Sequence, residues 1–195
     1  MNKKQYSSTG AGPVSRQPRS RGFTLIEVLV TLVVMSFGLL GLAGLQVTSL
    51  KNSRSAALRT TAMQHAYDMA DRMRANLAAV GTGNYDLGAV SAGTSTPACL
   101  TTTGCTPTQM AAHDLYEWQQ ALSASTNASG NGLPNGAGIV CIDSTAESTS
   151  TPSTPSAPAC DNIGQLYRIK VWYVDETPAP GAAIVYKAIV VDFQA

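Results

Sequence analysis

Residues 28–47 (VLVTLVVMSFGLLGLAGLQV) form a run of 20 without a charged side chain. A helix needs about 20 apolar residues to cross the hydrocarbon core of a bilayer, so this run is expected to span a membrane rather than join a globular core. What precedes it is equally unlike a core: residues 1–22 hold five of the 13 basic residues and none of the 12 acidic ones. From residue 51 onward the chain is rich in Ser, Thr, Gly and Pro and reads as water-soluble. Three parts follow: a polar leader 1–22, a membrane segment 23–50, and a globular domain 51–195.

The overall charge of +1 hides an asymmetry. Outside the leader, eight basic side chains stand against twelve acidic ones. The globular part has no Lys/Arg cluster of the kind that tracks a phosphate backbone, so nucleic acid is not an expected partner. Basic residues ahead of the apolar run favour a cytoplasmic N-terminus with the C-terminal domain carried across the membrane, against the weaker pull of Lys51, Arg54 and Arg59. On that far side an even number of cysteines, Cys99, Cys105, Cys141 and Cys160, reads as disulfides. A zinc site fits poorly, because the spacings C-x5-C and C-x18-C include no C-x2-C pair.

A secretory signal places its apolar region before the cleavage site. Here the order is inverted: the small residue Gly22 precedes the apolar run, so a cut there removes the charges and keeps the helix. On physical grounds alone an uncut signal anchor is the favoured reading. The residues RGFTLIEVLV, however, resemble the class III signal of type IV prepilins, with Gly22 before the scissile bond, Phe23 after it and Glu27 five residues into the mature chain. GLLGLAGLQ (38–46) and AYDMADRMRAN (66–76) extend the likeness to the minor pilin family called type IV pilus modification protein PilV. It covers residues 21–77 and continues through YEWQQAL and LPNGAGIVC. The resemblance implies that prepilin peptidase cuts after Gly22 and methylates the amine of Phe23.

A carboxylate in a bilayer is costly, by about 2.5–3.5 kcal/mol at a helix centre. Near a helix start the dipole and the headgroups lower that cost, so Glu27 has a bland reading as an interfacial residue. The resemblance implies a second one: Glu27 pairs with the Phe23 amine of its own or a neighbouring subunit and acts in subunit docking.

No proline occurs between Phe23 and Thr96, so one helix is expected over residues 23–79, roughly 85 Å if straight. Gly38, Gly41 and Gly44 make its apolar half either bendable or closely packed against other helices. Past Lys51 the pattern turns amphipathic, with Leu58, Ala62, Ala66, Met69, Met73 and Leu77 forming one stripe. Asp68 and Arg72 form an i,i+4 pair in the favourable order.

Residues 81–108 read as loop. A second helix begins at TPTQMAAHDLYEWQQAL, where Thr106 and Gln109 have capping-box spacing and Pro107 suits the first helical position. Strands are expected at residues 139–142, 167–174 and 183–193, the last two joined by a connection over 175–182, with Tyr167, Ile169, Val171 and Tyr173 on one face. The fold class is α+β: a pilin-like long helix laid on a small antiparallel sheet. The low-complexity stretch 142–159 is expected to lie exposed. Sequence proximity suggests Cys99–Cys105 and Cys141–Cys160, although four cysteines allow three pairings. The Ser/Thr cluster in this stretch could carry sugars, but a bare loop is the favoured reading, and the NAS sequon at 127–129 is given no weight.

No P-loop, nucleophile elbow, metal triad or dinucleotide fingerprint is present, and His65 and His113 stand isolated on helices. No catalytic residue, metal or cofactor is assigned. The expected role is that of a minor pilin in or priming a type IV pilus. Its expected partners are major and minor pilins, prepilin peptidase and, before assembly, the inner membrane. Two alternatives remain at this stage: a tip adhesive module, and a minor pseudopilin of a type II secretion system.

Overall fold

The computed structural model describes residues 22–88, 93–123, 132–145, 153–176 and 178–194. The leader up to residue 21, the sequon, and residues 146–152 of the low-complexity stretch lie outside the described residues. The chain divides into two units, residues 1–48 and 49–195. The described part of the first is the opening of helix α1, Leu25–Ala75, which is exposed throughout this unit.

In the second unit, the rest of α1 buries Ala62, Ala66, Met69, Ala70 and Met73, with Leu58 packed at the edge of the core. The expected stripe is therefore present but ends one turn early: Leu77 is 55% exposed. The cause is Asn76, whose backbone leaves the helical region (φ −129°, ψ 54°). Its side chain donates to the carbonyl of Pro107 at 2.8 Å and to Tyr85 Oη at 3.3 Å. The expected single helix is thus two, with a five-residue α2, Leu77–Gly81, after the break.

Helix α3, Pro107–Ser123, starts with the expected capping box. Thr106 N–H donates to Gln109 Oε1 at 3.0 Å and Gln109 N–H to Thr106 Oγ1 at 3.3 Å. Before it, residues 97–100 form a short 3-10 turn within the predicted loop. Trp118 of α3 is fully buried and its Nε1 donates to the carbonyl of His65 on α1 at 2.8 Å.

The sheet has three antiparallel strands in the order β1 (Ala137–Ile142), β2 (Tyr167–Tyr173), β3 (Lys187–Phe193). Tyr167, Ile169, Val171 and Tyr173 share the face that packs on the helices, as their alternation requires. Gly138 of β1 lies directly against α3, where a Cβ would come within 2.4 Å of the Trp118 ring. Strand β3 begins at Lys187 rather than 183, because its partner β2 ends at Tyr173, which pairs with Lys187.

The opposite face of the sheet is covered too, so every residue of β2 is buried. Ile139, Cys141 and Trp172 form a second cluster there with Leu87, Cys160 and Tyr186 beside it. The cover comes from residues 153–160, which corrects the reading of the low-complexity stretch as wholly exposed. Ser153 is buried and its carbonyl accepts from Trp172 Nε1 at 3.0 Å. The carbonyls of Pro158 and Ala159 accept from Lys170 Nζ at 2.9 and 3.1 Å. A segment poor in apolar side chains packs here through its backbone.

Candidate functional site

Gly22, Phe23 and Thr24 precede the first helical residue. A Cβ at Gly22 would meet nothing within 4 Å, so packing among the described residues places no demand for glycine at this position. Phe23 is 83% exposed. Thr24 caps α1: its Oγ1 accepts from Glu27 N–H at 3.4 Å and its carbonyl from Glu27 and Val28 N–H at 3.1 and 3.3 Å.

Thr24–Leu25–Ile26–Glu27 therefore has the T-x-x-E spacing of a capping box, with Glu27 at the third helical position. This role is missing from the sequence reading, though the spacing that marks Thr106 and Gln109 is visible here as well. An acidic side chain in the first turn also complements the helix dipole. Past it, α1 supplies the one helix among the described residues that is long and apolar enough to cross a membrane. Gly38, Gly41 and Gly44 have open space around them.

In the globular unit α1 is fixed by a polar cluster. Arg72 reaches Asp68 at 3.0 Å, Glu117 at 3.0 Å and Asp114 at 3.4 Å. Buried Tyr85 donates from Oη to Asp114 Oδ2 at 2.6 Å. Burial, and then the bond to Asp114, raise the Tyr85 hydroxyl far above its ordinary value of 10.0. For Arg72, burial lowers the pKa, but the bonds to Glu117 and Asp68 outweigh it and leave it raised.

His113 is buried, with Nδ1 accepting from Thr96 N–H at 3.1 Å and Nε2 lying 3.3 Å from Glu117. His65 is half-buried on α1. The two histidines hold structural positions, and no cluster of three or more metal-ligating side chains occurs among the described residues. Cys99 is bonded to Cys105 and Cys141 to Cys160. The second bond anchors the segment that covers the outer sheet face.

Two further relationships join residues far apart in sequence. Lys170 and Asp143 form a buried pair at 2.7 Å. At the base of the β2–β3 connection, Ser55 Oγ of α1 donates to Asp175 Oδ2 at 2.7 Å, and Lys187 pairs with the same oxygen. The Lys187 bond first, and then Ser55, hold the Asp175 carboxyl below its ordinary range.

Residues 17–43 match the prokaryotic N-terminal methylation motif, and residues 44–116 match the family described as type IV pilin Tt1218. The chain carries a type IV pilin domain. The two matches adjoin, so motif and pilin domain together cover α1, α2 and the first part of α3. No curated protein and no solved structure matches the chain. The long helix packed on a small antiparallel sheet is the pilin fold. The two matches support a pilin- or pseudopilin-like structural role.

Proposed function

We propose that this pilin is a minor subunit of the type IV pilus, of the PilV kind, which enters the fibre or primes its assembly through its N-terminal helix. Prepilin peptidase cuts after Gly22 and methylates the amine of Phe23. Residues 1–22 are the cytoplasmic leader, residues 23–50 cross the inner membrane and later pack among other pilins, and residues 51–195 fold in the periplasm, where both disulfides form. The observation that carries this reading is the order of features in one stretch: a basic leader, a glycine that packing does not require, and an apolar helix with Glu27 in its first turn.

After the cut, the Phe23 amine is a cation one helical turn from Glu27. In lipid an isolated subunit leaves that carboxylate poorly compensated, whereas in a bundle of pilins a neighbour's amine neutralises it. Glu27 thereby sets the register of docking.

N-terminal mass spectrometry of the protein taken from membranes tests the processing step. The expected product starts at methylated Phe23; a chain still starting at Met1 in peptidase-competent cells would overturn it, and Gly22→Val should block the cut. Deleting the gene should abolish surface pili and twitching. A block in protein export with pili intact would assign the chain to a secretion system instead.

A further inference from the structure

Residues 93–105 lie against α3, and two contacts near the start of the segment hold it there. Gly93 fits so closely that a Cβ would come within 2.3 Å of the Ala112 carbonyl oxygen and 2.5 Å of Tyr116 N. Three residues on, Thr96 N–H donates to Nδ1 of His113 at 3.1 Å. The segment is also stapled to itself. Cys99 N–H donates to the Thr96 carbonyl at 3.0 Å, Thr101 N–H to Ala98 and Gly104 N–H to Thr101 at 3.1 Å each, and the Cys99–Cys105 bond closes the loop. None of these bonds involves α3, so the loop can part from the helix as one piece.

His113 accepts from Thr96 only while Nδ1 carries a lone pair. A backbone N–H is always a donor, so this bond selects the neutral ring with its proton on Nε2. Nε2 is buried and lies 3.3 Å from Glu117 Oε1. A second proton would go to Nδ1 and set two N–H donors face to face. The Thr96 bond must then break, while the imidazolium gains the Glu117 carboxylate on its other side. Imidazole is the side chain that ordinarily titrates between about pH 5 and 8.

Few charges surround the ring. Glu117 faces Nε2 from the same helix, and its other oxygen is held by Arg72 of α1 at 3.0 Å. Asp114, the next residue, is engaged with Arg72 and Tyr85. Residues 93–105 contain no ionisable side chain apart from the two bonded cysteines. Glu117 is thus the charge that meets the ring directly, and it favours imidazolium over the bond to Thr96.

We propose that His113 is a pH-sensitive latch. Neutral, it holds the disulfide loop 93–105 on α3; protonated, it drops Thr96, pairs with Glu117 and releases the loop, on which Leu100 is already 71% exposed. The latch lies within the globular domain and works alike in whichever assembly the chain serves.

The test is hydrogen exchange by mass spectrometry on the full chain in detergent, read as slowing of the Thr96 amide relative to an unfolded chain at the same pH. From about pH 8 to about pH 5 this protection should fall several-fold, while the amides of β2 keep theirs. His113→Asn offers an amide oxygen in place of Nδ1 and cannot be protonated there, so the fall should vanish. Glu117→Gln should move the midpoint to lower pH, because the imidazolium loses its carboxylate. Unchanged Thr96 protection in the wild type across this range would overturn the proposal. So would a fall in His113→Asn as large as in the wild type, which traces the effect to another group. Should His113→Asn lose protection in β2 as well, and so fail to fold, Glu117→Gln decides: a midpoint no lower than the wild type's refutes the latch.

Discussion

Lys170 Nζ and Asp143 Oδ2 meet at 2.7 Å inside the domain, with each side chain 1% exposed. The ammonium also donates to the carbonyls of Pro158 and Ala159, while Thr145 donates to Asp143 through its N–H and hydroxyl. Breaking one side of a buried pair leaves an uncompensated charge and costs about 3–5 kcal/mol. Lys170→Met should therefore lower the unfolding free energy of the full chain in detergent, measured by urea titration, by that much, and adding Asp143→Leu should recover most of the loss.

The same pair predicts an acid limb. Burial pushes the Asp143 carboxyl up, but the bonds from Lys170 and Thr145 outweigh it and hold it below its ordinary 3.8. A depressed carboxylate stabilises the fold fully above its unfolded pKa and loses that contribution as pH falls through its folded one. Stability should thus decline below about pH 4, and removing Lys170 should shrink that decline, because its bond helps hold the carboxyl down.

Tyr85 predicts an alkaline limb of opposite sign. Its hydroxyl is raised, so its contribution is full below the ordinary value of 10.0 and fades as pH rises toward the folded value. Tyr167 and Tyr173 are raised as well, by burial first. Tyr85→Phe should cost about 1.5–3 kcal/mol at neutral pH, the range for a hydrogen bond to a charged group. It should also flatten, without abolishing, the loss of stability above pH 10. Unfolding curves at several pH values measure both.

Gly138→Ala tests the approach of β1 to α3. The added methyl would lie 2.4 Å from the Trp118 ring and 2.6 Å from Leu122 Cδ1, so the helix must shift. Overpacking of this kind costs about 1–3 kcal/mol. The expected signature is a lower melting temperature together with changed Trp fluorescence. An unchanged melt would mean that α3 moves away without loss.

Glu27→Gln separates docking from capping. A capping box accepts Gln as well as Glu at its third position, so the helix start should persist, and removing a charge eases insertion. Cleavage should continue. Recovery of partner pilins from membranes and the count of surface pili should both fall, since the ion pair with the amine becomes a weaker bond from a cation to a neutral amide. Thr24→Val is the complement: it removes the cap and keeps the charge. Equal piliation in wild type and Glu27→Gln would reduce Glu27 to an interfacial residue.

The parts of this structure that follow a local period were legible in the sequence. Ala62, Ala66, Met69 and Met73 recur at helical spacing and are buried; Tyr167 to Tyr173 alternate and share a face. The end of α1 was not legible, because Asn76 leaves the helix for Pro107, 31 residues away. The cover over the outer sheet face was hidden for a different reason. Residues 153–160 bind Trp172 and Lys170 through carbonyls, which every residue possesses and no composition reveals. At the candidate site, Gly22 and Glu27 stood out by position. The brace between Ser55 and Asp175 spans 120 residues and carries no local sign.

A peptide bond buried in a helix has to be unwound before a protease can grip it. Among the described residues the first carbonyl to accept a hydrogen bond at the start of α1 is that of Thr24, two positions past Gly22. The proposed scission between Gly22 and Phe23 therefore breaks no helical hydrogen bond. On that reading the cut would leave the Thr24 cap and the hydrogen bonds of α1 in place and would exchange a leader for a new amine. Maturation would then be a change of electrostatics without a change of conformation, so the subunit can fold before, during or after the cut.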